Sequence, residues 1–180
     1  MNTRTRVLTG AALAVAIGAG TFGAVSASAA PAAKPAAAAK KSDNDNFTTS
    51  THLTVDAATK AAQAALKAAQ KENQRVTVAV VDRNGNTIVT LRGDGAGPQS
   101  FESAQRKAYT AVSWNAPTSV LAGRLAQTPN LKDIPGTLFL GGGAPVQLNG
   151  APIAAVGVAG APSGDLDEKY AKAGVESLND

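Results

Sequence analysis

Few residues in this chain can do chemistry. Among 180 residues there is one histidine, His52, and no cysteine. A Ser-His-Asp hydrolase would have to recruit that histidine, and no G-x-S-x-G elbow is present to carry its serine. Zinc sites draw on several His or Cys ligands, which the composition does not supply. The stretch "GTLFLGGGAPV", residues 136 to 146, invites a phosphate-loop reading. A Walker loop continues as G-K-[ST] into a helix, whereas Gly143 is followed by Ala144-Pro145 and a hairpin pattern. Gly141, Gly142 and Gly143 therefore mark a sharp bulge, or a place where another backbone comes close. Asp82, Arg83 and Asn84 look reactive, yet the Asn84-Gly85 pair makes them strand-end and turn residues.

The elements that must position these residues follow from periodicity. Thr54 is set to cap a helix whose apolar face carries Val55, Ala58, Ala62, Ala65, Leu66 and Ala69. Val76, Val78 and Val80 alternate, turn at Asn84-Gly85 and return through Ile88 to Leu91. Ser100 is the expected N-cap of a helix from about Phe101 to Ser113, and Pro117 opens a short helix reaching Leu125. Thr137 to Leu140 is the expected next strand, and a hairpin turning at Asn149-Gly150 supplies two more. Ser163 caps a last helix from Gly164 to about Leu178. The order α-β-β-α-α-β-β-β-α with two tight hairpins predicts an α+β single domain: a five-stranded antiparallel sheet flanked by helices.

The N-terminus reads as a leader. Arg4 and Arg6 precede an apolar run from about Val7 to Val25, and Ala27 and Ala29 stand at the small-residue positions of a cleavage site. Residues 1–29 are thus expected to be a secretory signal peptide rather than a transmembrane anchor. Residues 30–50, rich in Ala, Pro and Lys, lack the large apolar residues that offset ordering entropy, and predict a disordered linker before a domain at 51–180. Without the leader, 15 basic residues face 13 acidic ones, a balance of +2. No concentrated basic face for nucleic acid emerges from that balance.

Five stretches fall in order along the chain: "LTVDAATKAAQAALKAA", "VTVAVVDRNGNTI", "LRGDGAGPQSFESAQRKAYTAVSWNAPT", "IPGTLFLGGGAPVQLNGAPIAAVGVAGA" and "DEKYAKAGVESL". Together they closely resemble the GlcG/HbpS-like family, also called haem-degrading domain proteins, from about Leu53 to Leu178. With its leader and Ala/Lys tether, the chain is similar to the secreted, haem-binding HbpS branch of actinobacteria rather than to the cytoplasmic GlcG type. The resemblance implies a profilin-like outline, homo-oligomers up to octamers, and binding of haem b (iron protoporphyrin IX). It also implies a secreted role in haem and redox sensing beside the ectodomain of a membrane sensor histidine kinase of a two-component system.

The same resemblance links two residues to the iron. The threonine before the glycine run matches Thr137, and a histidine leading into the first helix matches His52. Such a hydroxyl is a weak ligand, suited to exchange rather than to electron transfer. Arg83, Arg92, Arg106, Lys107 and Arg124 are cations available to haem propionates, and Arg106 and Lys107 are the two singled out. A second acid three residues after Glu102 would make an iron-binding pair, but Gln105 stands there. No catalytic residue is assigned. A haem-degrading or haem-dependent peroxide-handling enzyme that releases iron is the first alternative, and a ligand-free interaction module is the second.

Overall fold

The computed structural model describes residues 46–179. The expected signal peptide and most of the expected linker lie outside the described residues. Helix α1 spans Val55–Lys71, and Thr54 caps it by accepting a hydrogen bond from the Ala57 amide at 3.2 Å. Strands β1 (Thr77–Asp82) and β2 (Thr87–Arg92) form the first hairpin, followed by α2 (Gln99–Trp114) and the short α3 (Thr118–Gly123). Two 3-10 turns, Arg124–Ala126 and Pro129–Asp133, lead to β3 (Gly143–Leu148), β4 (Ala151–Ala159) and α4 (Gly164–Glu176). The strands make one antiparallel sheet in the order β2-β1-β4-β3.

The two Asn-Gly hairpins turn by different means. At 149–150 both residues have positive φ, 52° and 79°, as a type I′ turn requires. At 82–86 only Gly85 does. There the Asp82 carboxylate accepts the Asn84 and Asn86 amides at 2.8 and 2.9 Å and ties the turn from inside. Asp82 is therefore a turn residue, as its neighbours suggest.

Strand alternation gives the sheet two unlike faces. Val78, Val80, Val156 and Val158 face α1 and α4, whose contribution is Ala58, Ala61, Ala62, Ala65, Tyr170 and Ala171. The opposite face carries Ala79, Ala155, Gly157 and Ala159, and α2 lies on it through Ala104, Ala108 and Ala111. The small side chains let α2 come very near. A Cβ on Gly157 would sit 2.1 Å from the Ala104 carbonyl, and one on Gly143 would sit 2.4 Å from the Lys107 carbonyl. The glycine triplet is thus filled by the chain itself: Gly143 meets α2, Gly142 meets β4 and Lys107, and Gly141 meets Gly164 at the start of α4.

Two expectations are corrected. The sheet has four strands rather than five, because Thr137 to Leu140 is not a strand. Its backbone groups are used elsewhere: the Thr137 amide turns back to the Ile134 carbonyl, and the Leu138 amide bonds the Thr110 hydroxyl. Ser100 is not an N-cap. The helix begins at Gln99, and the buried Ser100 hydroxyl bonds the Thr77 hydroxyl at 2.7 Å and the Gly97 carbonyl at 2.6 Å, linking α2 to β1.

The sheet edge at β3 is blunted at two positions. Pro145 has no amide to offer, and the Gly143 amide is taken by the Thr118 hydroxyl at 2.7 Å. Helix α4, which packs on β3 and β4, is also fastened to the end of α1. The buried Tyr170 hydroxyl donates to Glu72 at 2.9 Å.

Two stability experiments test this packing. Gly157→Ala is expected to cost about 3 kcal/mol in urea unfolding, since its methyl overlaps helix backbone that cannot yield. Gly123→Ala, where the new methyl would meet nothing within 4 Å beyond its own helix backbone and chain neighbours, is expected to gain about 0.4–1 kcal/mol. Equal effects would refute the close approach. Burial, then the Glu72 carboxylate, push the Tyr170 phenol up to about 12 from its ordinary 10.0. The folded state thus favours the protonated phenol, so its contribution is full below pH 10 and fades as pH rises towards 12. Phenolate absorbance should show one tyrosine ionising near pH 12 and moving down in Glu72→Gln; an unmoved titration contradicts the assignment.

Candidate functional site

One stripe of α2 reads the segment after the 3-10 turns, residue by residue. Arg106, Thr110 and Trp114 are spaced by four, so they share a helix face. The Arg106 guanidinium donates to the Thr137 carbonyl at 2.7 Å. The Thr110 hydroxyl accepts the Leu138 amide at 2.8 Å. The Trp114 ring meets the Phe139 ring edge-on, with centroids 5.2 Å apart. Sequence periodicity shows the stripe but not its target, so Thr110 and Trp114 were not legible as site residues.

Beside this contact lies a cleft of about 180 Å³ whose lining includes Tyr109, Arg106, Gly85, Thr87 and Gly136. The Tyr109 ring packs against both glycines: a Cβ on Gly85 would sit 2.7 Å from it, and one on Gly136 would sit 3.7 Å from it. Gln105, also on the cleft, donates to the Thr90 hydroxyl at 3.3 Å. Glu102 pairs with Arg106 at 3.7 Å on the exposed side of the helix. Larger clefts of about 300 and 360 Å³ run along β3 and the end of α4, but their linings hold no aromatic ring and no histidine. Among the described residues, no group of three His, Cys, Asp or Glu side chains could hold a metal ion.

The four residues singled out from the sequence are distributed as follows. Thr137 and Arg106 are together, joined by the carbonyl bond. Thr137 is only 2% exposed, and its hydroxyl donates to the Ile134 carbonyl at 2.7 Å. His52 is exposed, with its Nε2 and the Ser50 hydroxyl 2.7 Å apart. It lies within electrostatic range of Asp82. Burial pushes the Asp82 carboxyl up, but the Asn86 and Asn84 amides and His52 outweigh it and hold the group below its ordinary range. No bond joins His52 to Thr137, Arg106 or Lys107.

Lys107 faces the other way, into the protein. It is 2% exposed, and its ammonium donates to Asp167 at 2.7 Å and to the Val158 carbonyl at 3.1 Å. The second Asp167 oxygen accepts the Ala161 amide at 2.9 Å. Burial pushes the Asp167 carboxyl up, and the attraction of Lys107 does not fully cancel it. The pair thus locks α2, β4 and α4 around the glycine triplet, rather than standing at the cleft. One signal could have found it: Lys107 falls between Ala104, Ala108 and Ala111 on the buried side of α2, where a cation requires an acid. Nearby, Glu168 accepts the Ser119 amide and hydroxyl at 2.9 and 2.8 Å, which fastens α3 to α4.

This is an α+β protein with a cation, Arg106, and an aromatic side chain, Tyr109, together on one open cleft, while the nearby Thr137 is buried and does not line it. The chain belongs to the HbpS-like family of haem-degrading proteins, whose model matches residues 53–176. A double Glu-to-Asp mutant of HbpS from Streptomyces reticuli is 70% identical, with a TM-score of 0.75 over 80% of this chain and 99% of that one. The crystal structure of a PduOC–heme complex is 26% identical, with a TM-score of 0.66 over 72% of this chain and 96% of that one. A 15.0 kDa protein from the dhaT–dhaS intergenic region of Citrobacter freundii is 37% identical over 113 residues, 60% of this chain and 80% of its own length.

The buried pair makes a testable claim. Asp167→Ala leaves the Lys107 charge buried and is expected to cost about 3–5 kcal/mol in urea unfolding. The double variant Lys107→Met, Asp167→Leu should recover most of that loss, because two apolar groups leave no orphaned charge. A double variant as weak as the single would show that the pair itself supplies the stability.

Proposed function

We propose that this protein is secreted and binds haem b loosely and exchangeably. Its role is haem and redox sensing beside a sensor kinase ectodomain. The observation that carries the reading is family membership across residues 53–176, together with a solved relative crystallised with heme. The site is compatible in chemistry. The Tyr109 ring offers an aromatic surface and Arg106 offers a cation to a propionate; the buried Thr137, whose carbonyl Arg106 holds, would have to free its hydroxyl from the Ile134 carbonyl to reach iron. Haem would supply the redox-active iron, and the protein's own groups would seat and orient it.

The geometry also speaks for a loose mode of binding. Enclosed ligand pockets span roughly 300–1,000 Å³, and the Tyr109 cleft is smaller and open. A macrocycle would rest on one chain rather than be wrapped by it. A second copy closing over the exposed face would complete the site, which is the physical reason to expect a homo-oligomer. The hydroxyl of Thr137 and the imidazole of His52 are the proposed iron ligands, and Arg106 is the proposed propionate partner. Lys107, once assigned to a propionate, is better placed to hold the glycine loop.

The family description favours one second reading, in which the protein degrades haem. In that case the absorbance of the bound haem would decay under peroxide, with release of iron, instead of persisting.

Hemin titration of the purified protein, followed by absorbance and size-exclusion chromatography, tests the proposal. A saturable, shifted Soret band that co-elutes with an oligomer is expected. Thr137→Ala should weaken binding about tenfold or more, equivalent to about 1.4 kcal/mol, and His52→Ala should shift the band. A featureless, non-saturating spectrum in the unaltered protein would overturn the haem reading. Unaltered binding in both variants would remove the ligand assignment alone.

A further inference from the structure

The chain holds two Asn-Gly pairs, Asn84-Gly85 and Asn149-Gly150, each at a hairpin turn. Such a pair can react with itself. The backbone nitrogen that follows an asparagine can attack the asparagine's side-chain amide carbon, and glycine has no Cβ to hinder the approach. The attacking nitrogen must be free to give up its proton and to turn towards the side chain. The two hairpins differ at that atom.

At the first, the Gly85 amide donates to the Asp82 carbonyl at 3.0 Å, and the Tyr109 ring lies against Gly85. The Asp82 carboxylate holds the amides on either side, those of Asn84 and Asn86. Attack there requires the turn to break first. At the second, Asn149 and Gly150 are both exposed and stand between the paired residues Leu148 and Ala151. Among the described residues, nothing is hydrogen-bonded to the Gly150 amide or to the Asn149 side chain. A Cβ on Gly150 would meet nothing within 4 Å beyond its chain neighbours, so no packing restrains the turn there.

We propose that Asn149 is a site of spontaneous covalent modification in the folded protein, and that the fold protects Asn84 from the same reaction. A base in solution takes the Gly150 amide proton. The nitrogen forms a bond to the Asn149 side-chain carbon, the bond from that carbon to Nδ2 breaks, and Nδ2 leaves as ammonia with a proton from water. Water then opens the cyclic imide. Opening at the side-chain carbonyl gives aspartate. Opening at the main-chain carbonyl gives isoaspartate, in which the chain runs on through the former side chain. No electrons are transferred. Either product carries a new carboxylate next to Gly150, whose carbonyl accepts Asn115 from the end of α2 at 3.1 Å.

The test ages the purified protein in mildly alkaline buffer, folded and in urea, and compares tryptic peptides by mass with those of the unaged sample. The two sites fall on different peptides, one bounded by Arg83 and Arg92, the other by Lys132 and Lys169. In the folded protein Asn149 is expected to convert about tenfold or more faster than Asn84, because a braced turn reacts only while it is open. In urea the two rates should become similar. Asn149→Gly keeps a residue suited to positive φ and should remove the leading acidic species from ion-exchange chromatography of the aged, folded protein. Equal conversion at both sites in the folded protein, an unreactive Asn149, or a difference that persists in urea would overturn the inference. An undiminished acidic species in Asn149→Gly would do the same.

Discussion

The distance between α2 and the sheet is the constraint on which the rest of this structure depends. Gly157 and Gly143 let the helix backbone approach to where any Cβ would overlap it, and Ala79, Ala155 and Ala159 continue the same flat surface. The opposite face of the sheet is built from valines and holds its helices through alanine instead. A helix laid this near cannot rotate or slide without collision. Its side chains are therefore sorted with little freedom: Lys107 is forced inside, and Arg106 and Thr110 are aimed at the segment leading into the glycine triplet.

The buried Lys107 is the cost of that sorting, and Asp167 is its answer. Desolvation works against such a pair, so its net worth over an apolar contact is small. Its geometry is nevertheless exacting. One ammonium ties α2 to the end of β4 and to the first turn of α4, and the three meet around Gly142. The glycine run is thereby explained without a ligand. It is the place where a loop, a strand end and two helices cross with no room for side chains.

The same crossing shapes the site. Because residues 137 to 139 are held by the stripe Arg106, Thr110 and Trp114, they cannot join the sheet, and Thr137 is presented from a loop. Membership of the HbpS-like family ties the chain to haem-related proteins, and the haem reading proposed above rests on that membership.

Local pattern alone determined the helices, both hairpins and the family. Alternating valines, Asn-Gly pairs and capping Thr54 and Ser163 act over a few residues, and their signals survive without tertiary context. The ordered motifs from Leu53 to Leu178 were likewise legible as written. Tertiary structure alone decided the outcome where bonding partners lie far apart in sequence. Thr137 to Leu140 has the composition of a strand, but its hydrogen bonds are claimed by a turn and by side chains 28 and 31 residues earlier. Ser100 has the identity of a cap, but its partner is Thr77 on the strand beneath it. Arg106 and Lys107 are neighbours with the same charge, yet a rotation of about 100° per residue sends one to the cleft and the other to Asp167, 60 residues away. Which of two adjacent cations faces solvent depends on where the helix lies, and that is set by glycines on strands the helix never contacts in sequence.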